Sequence, residues 1–277
     1  MVDKPSGAAP DNATRILAVT IGGLGDAILF SPVFKALRSK YPAADFHLLV
    51  ASPLAAEVYS QEPRLQQLDL ADTNRPTTLG KVLSLIPFAF HSRRQGGFDV
   101  GVFATGLNRR FISSLSFMSR IRFAAAAPAP GPLLPTDLAC NIAIARIFDP
   151  SISEDDAFVP LLPDRRADIA RQLDGLGIEP GQHRILALYP SRPSPRRSLW
   201  PLTQLLSVAK KLKDSNLADK VVAVGASAEG GEIAAADTHR VIDANLAGRI
   251  PVSALSALFS VCTLTLGNDG GLLHVAG

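Results

Sequence analysis

Cysteine is scarce in this 277-residue chain: there are two, Cys140 and Cys262, far apart in apolar, helix-like segments. Both read as reduced, buried fillers, and no zinc-type cluster can be assembled around them. Aromatic residues are only 6% and tryptophan occurs once, which leaves few stacking platforms for nucleic-acid bases. The net charge of +3 is too small to argue for nucleic acid, though it suits an anionic ligand or a membrane surface. Long apolar runs are missing as well. None approaches the roughly 18 uncharged residues of a membrane span, and the candidates at 82–90 and 121–134 are short or broken by Arg and Pro. Positions 1–12 lack an apolar signal core, so 1–14 read as a disordered, cytoplasmic start. Several chemistries lack their signature too. There is no Walker lysine, no Ser-His-Asp order and no metal-ligand constellation. Gly22-Gly23-Leu24-Gly25 is not G-x-G-x-x-G, and no acid ends the second strand, which disfavours a nicotinamide enzyme.

What is present is an alternation. With 47% hydrophobic and 19% charged residues, the chain can bury the core of one large domain or two ordinary ones. Continuous apolar runs at 15–20, 46–50 and 98–104 suit parallel strands covered on both faces. Shorter strands are expected at 65–70 and 121–124, with helices at 24–40, 54–59, 79–90, 108–118 and 136–148. Ser31-Pro32 predicts that the first helix kinks or restarts there. The proline-rich stretch 128–135 reads as an exposed loop. Acidic and then proline-punctuated composition at 149–163 marks a boundary between domains 15–162 and 163–277. A further alternating set follows, with a helix at 165–176 and strands at 184–189, 220–224, 240–242 and 262–266. Helices at 202–212, 229–236 and 252–260 separate those strands. The pattern predicts an α/β chain of two Rossmann-like, doubly wound domains. The C-terminal domain reads as truncated, since position 277 falls where a helix should continue.

Four constellations fall where strands give way to helices, which is where doubly wound sheets bind ligands. The first is Gly22-Gly23-Leu24-Gly25-Asp26. Its glycines allow positive φ and close approach. Asp26 is either a first-turn cap or a carboxylate at the mouth of a cleft, acting as a general base or as a partner for sugar hydroxyls. The second runs from Tyr189 to Pro201, where Arg192, Arg196 and Arg197 can pair with phosphate oxygens or form a solvated basic loop. Trp200 reads as a packing residue. Third comes Gly225 with Glu229, which either accepts sugar hydroxyls or matches a helix dipole. The fourth is Asn268-Asp269-Gly270-Gly271-Leu272-Leu273-His274. Its glycine amides face an anion, and His274 lies one helical turn beyond them. The remaining histidines, His47, His91, His183 and His239, read as structural or surface residues.

Taken in order, these pieces resemble glycosyltransferase family 9, the ADP-heptose:lipopolysaccharide heptosyltransferases. Leu24-Gly25-Asp26, Trp200-Pro201, Gly225 with Glu229, and Asn268-Asp269-Gly270-Gly271 with His274 carry the resemblance. It implies a GT-B fold, two Rossmann-like domains facing a cleft, with the acceptor on the first and a nucleotide-sugar on the second. It implies inverting, metal-independent transfer from a donor such as ADP-heptose, with no cofactor. The acceptor would be a lipid-linked or core oligosaccharide, and the site of action cytoplasmic or peripheral on the inner membrane. Asp26 would be the general base, and Gly22, Gly23 and Gly25 would line the acceptor side. Arg196, Arg197, Glu229, Asp269, Gly270, Gly271 and His274 would bind the donor. Gly270 stands where the family has a hydroxyl residue, and Ser198 where it has Lys. Those departures and the short end keep another class open: a non-catalytic nucleotide-sugar-binding or assembly protein. An epimerase-type GT-B enzyme is a third.

Overall fold

Arg15–Thr20 forms β1, and its Ile16-Leu17-Ala18-Val19 core is fully buried. An apolar run without alternation has to be covered on both faces, which puts it in the middle of a parallel sheet. In the computed structural model it is flanked by β2 (Asp45–Val50) and β4 (Phe98–Phe103), both parallel to it. With β3 (Leu65–Leu68) and β5 (Ile121–Ala126), the order is β3-β2-β1-β4-β5. The structure describes residues 8–50, 53–60, 65–68, 86–134, 136–156, 164–190 and 199–277. The chain divides into two units, Met1–Leu161 and Leu162–Gly277. The boundary expected after position 162 lies outside the described residues.

Helix α1 (Leu24–Lys40) runs through Pro32 as one element, where a kink or restart was expected. Proline removes the amide that would reach the Ile28 carbonyl and crowds that turn. Tertiary contacts hold the carbonyls on either side of Ile28. One residue along, the Leu29 carbonyl accepts from Asn141 Nδ2 at 3.0 Å, on α5 (Asp137–Ala145). Buried Tyr59 donates to the Ala27 carbonyl at 2.5 Å. The helix before β4 covers Ile86–Arg94 (α3), and the earlier part of the expected 79–90 helix lies outside the described residues. Helix α2 (Pro53–Glu57) precedes it, and α4 (Arg109–Met118) follows β4 with Asn108 as its N-cap, accepting the Phe111 amide at 2.8 Å. Of the start read as disordered, 1–7 lie outside the described residues and 8–14 are tied down. Tyr41 Oη donates to the Pro10 carbonyl at 2.6 Å, and the Thr14 amide donates to Asp99 Oδ2 at 2.9 Å.

The second unit begins with α6 (Arg166–Asp174), then β6 (Ile185–Tyr189), α7 (Leu202–Asp214) and β7 (Lys220–Ala223). A 3-10 turn at Ser227–Glu229 leads into α8 (Gly230–Ala236). Next come β8 (Ala244–Asn245), α9 (Val252–Val261), β9 (Leu264–Gly267) and α10 (Gly271–Ala276). All strand pairs are parallel, in the order β8-β7-β6-β9. The strand expected at 240–242 forms later, at β8. Asp237 captures the Val241 and Ile242 amides at 2.7 and 3.0 Å, so those donors are not free for a ladder. Cys140 is buried as expected, whereas Cys262 is partly exposed because it caps the end of α9. Among the described residues no helix is long and apolar enough to cross a membrane.

Candidate active-site turns at the strand ends

Asp26 is the third residue of α1, and its Oδ2 accepts the amide of Gly23, the N-cap, at 2.7 Å. This is the backward reach of a capping box, which satisfies a donor the helix start leaves without a partner. The carboxylate lies beneath Gly22: a Cβ there would come within 2.1 Å of Asp26 Cγ and Oδ2. Positive φ was expected of these glycines alongside close approach of a ligand, but Gly22, Gly23 and Gly25 are not among the residues with positive φ. Gly22 is required for space. Gly25 is buried in the first turn of α1, while Gly23 and Asp26 are exposed. Among the described residues, Asp26 Oδ1 makes no hydrogen bond. Asp26 is thus both a cap, through one oxygen, and an accessible carboxylate, through the other.

In the second unit the ends of β6 and β9 adjoin, with Tyr189 paired to Gly267. A Cβ on Gly267 would meet the Tyr189 carbonyl at 2.5 Å. Gly270 has extended backbone that any residue adopts, with φ 178. Its small size is imposed by the tyrosine ring, since a Cβ would lie 2.9 Å from Tyr189 Cε1 and 3.0 Å from its Oη. The phenol therefore fills the space a residue-270 side chain would use. Gly271 opens α10, Asp269 is exposed, and His274 is partly exposed in the same short helix. Arg196, Arg197 and Ser198 lie outside the described residues.

The residue that sequence reasoning missed is Asn268. It is buried at the end of β9, and both its amide hydrogens and its oxygen are hydrogen-bonded. Nδ2 donates to the Pro190 carbonyl at 2.6 Å and to the Trp200 carbonyl at 3.0 Å, while Oδ1 accepts the Trp200 amide at 2.8 Å. One side chain thus fastens both flanks of the arginine-bearing segment to the strand end. Trp200 owes its position to these backbone bonds; its side chain is exposed rather than packed. An Asn directly at a strand end, before Asp-Gly-Gly, was the available signal.

Glu229 mirrors Asp26 in construction. Its Oε2 accepts the Ala226 amide at 2.7 Å, and a Cβ on Gly225 would come within 2.2 Å of that oxygen. Unlike Asp26, it is only 5% exposed. Gly248 closes over this turn with φ +72, donating its amide to the Gly225 carbonyl at 2.8 Å. Of the histidines, His47 is buried on β2 against Phe98; burial first, then the Arg15 charge, push its pKa down to about 4. His183 Nδ1 accepts the Glu179 amide at 2.9 Å.

Residues 156–277 match the family model of glycosyltransferase family 9 (heptosyltransferase). No curated protein matches the sequence. Among solved structures, the chain is similar to a glycosyl transferase family 9 protein of Veillonella parvula, with 15% identity and a TM-score of 0.73, covering 97% of this chain and 79% of that one. It is also similar to the E. coli ADP-heptose lps heptosyltransferase II, with 17% identity and a TM-score of 0.66, covering 95% and 81%. A UDP-GlcNAc 2-epimerase from Methanocaldococcus jannaschii follows at 12% identity and a TM-score of 0.54, covering 96% and 80%. At these identities the solved structures speak for the fold alone, the GT-B class built of Rossmann-like units. Over residues 156–277, less than half of the chain, the sequence resembles glycosyltransferase family 9, and this likeness supports glycosyl-transfer chemistry.

Proposed function

We propose that the protein is an inverting, metal-independent transferase that moves a heptose or related sugar from ADP-heptose to a lipopolysaccharide-core or similar glycan. The observation that carries this reading is the exposed carboxylate of Asp26, held at the end of β1 by the Gly23 amide. In this role Asp26 takes the proton of an acceptor hydroxyl as that oxygen attacks the anomeric carbon. The bond to the diphosphate breaks through an oxocarbenium-like transition state, and the configuration inverts. Arg196 and Arg197, with the amides of Gly270 and Gly271, take the charge that develops on the departing diphosphate. Asp269, His274 and Glu229 complete the donor contacts, and no cofactor enters. A lipid-linked or core oligosaccharide acceptor would place the reaction at the cytoplasmic face of the inner membrane.

Asp26→Asn is the sharpest test, because an amide oxygen can still accept from Gly23 but cannot take a proton. With ADP-heptose and a core acceptor, ADP release is expected to fall by roughly 10²–10⁴-fold while calorimetric ADP affinity stays unchanged. Transfer at the wild-type rate would end the assignment. One observation favours another reading, a nucleotide-sugar-binding protein without transfer: Asp26 already spends one oxygen on the helix cap. Wild-type protein that binds ADP yet releases none from ADP-heptose would support it.

A further inference from the structure

The outer faces of α3 and α4 combine two features. Ile86 is 48% exposed and Phe90 57% on α3, and Phe117 on α4 is 77% exposed. Ile86, Phe90 and Arg94 recur every four residues, so they lie along one side of α3. The Arg94 guanidinium lies 4.4 Å from the centroid of the Phe90 ring, and that of Arg93 lies 5.4 Å from the Phe117 ring. Arg93 also donates to the Phe117 carbonyl at 3.0 Å, which joins the ends of the two helices into one patch.

Charge is concentrated on the same stretch. Positions 86–126 contain six arginines, no lysine and one acid, Asp99. This segment carries +5, so the rest of a chain with net charge +3 sums to −2. Asp99 is engaged elsewhere, accepting from the Thr14 and Arg15 amides and from Arg122. Exposed rings beside guanidinium groups suit the headgroup boundary of a bilayer, where apolar side chains enter and cations meet phosphates. Arginine in place of lysine adds bidentate phosphate geometry. Another copy of the chain is a poor occupant because two such faces repel. Nucleic acid is a weaker fit, because the guanidinium groups already sit on the Phe90 and Phe117 rings and Ile86 offers no stacking surface.

We infer that the outer face of α3 and α4 docks the protein on an anionic lipid bilayer. This gives the membrane side of the proposed function a surface. Its test reads lipid binding rather than sugar transfer, so either can fail without the other. Full-length protein is to be sedimented with vesicles of phosphatidylcholine, with and without phosphatidylglycerol. Binding is expected only with the anionic lipid and is expected to weaken as salt rises. Arg94→Glu with Arg110→Glu should lower the partition coefficient by roughly thirtyfold. Phe90→Ser with Phe117→Ser should lower it with little change in salt dependence. All four side chains are solvent-exposed, so the thermal midpoint should not move. Equal binding to neutral vesicles, or unchanged binding by both double variants, would overturn the proposal. So would a wild-type protein that ignores vesicles but uses these residues to bind an oligonucleotide or to dimerise.

Discussion

Asp26 and Glu229 are built alike and placed differently. Each lies four residues after a glycine, and each accepts the amide of the residue following that glycine at 2.7 Å. In both turns a Cβ on the glycine would strike the carboxyl group. The shared part answers a backbone need, since a helix or 3-10 start has donors without partners. The difference is solvent. Asp26 is exposed, whereas Glu229 is 5% exposed beneath the loop that carries Gly248. Capping accounts for both acids equally, so it cannot identify a general base; open access for an acceptor hydroxyl can.

The largest effect expected from breaking this parallel is in turnover. Asp26→Asn should cost roughly 10²–10⁴-fold in transfer, whereas Glu229→Gln should leave the chemical step nearly intact, as steady-state ADP release would show. Comparable losses from both would mean that burial is not what separates them. The next prediction sharpens the contrast between units through pH. His47 has its pKa lowered from 6.5 to about 4 in the folded first unit. The unfolded chain therefore binds more protons between those values, and stability falls as pH drops through that window. The full difference amounts to ~3 kcal/mol. His47→Phe should flatten that part of the pH dependence in urea titrations.

A smaller effect is expected at Asn268. Asn268→Ala removes three hydrogen bonds and leaves the Trp200 amide in need of water, a loss of about 2 kcal/mol. Trp200 is the only tryptophan, so its emission should report that change directly and weakened ADP binding should accompany it. An Asn268→Ala protein with unaltered emission and ADP affinity would show that the staple positions nothing. The smallest change should come from Glu229→Gln read as stability, at about 1 kcal/mol, because the amide oxygen still accepts from Ala226.

The sheets were legible because β1, β2 and β4 are continuous apolar runs that only a doubly covered parallel strand explains. What escaped the sequence depends on residues distant along the chain. Asn141 holds the Leu29 carbonyl, on the turn before Pro32, from 112 positions away. Asp237 postpones β8 by taking two amides with its side chain. The glycine turns were located correctly, but their cause is the carboxylate or ring beside them rather than left-handed backbone. Asn268 was visible as part of a motif and invisible as a staple, because its partners are carbonyls and an amide, which carry no side-chain signature.

Fastening Pro190 and Trp200 to the same asparagine has an evolutionary consequence. The ends of the intervening segment are fixed independently of what lies between them. Each doubling of the length of a flexible connection between fixed ends costs only about 0.6 kcal/mol in closure entropy. Residues can therefore be inserted, deleted or exchanged there without disturbing β6 or α7. The sequence of that stretch can drift while the sheet beside it stays under separate selection.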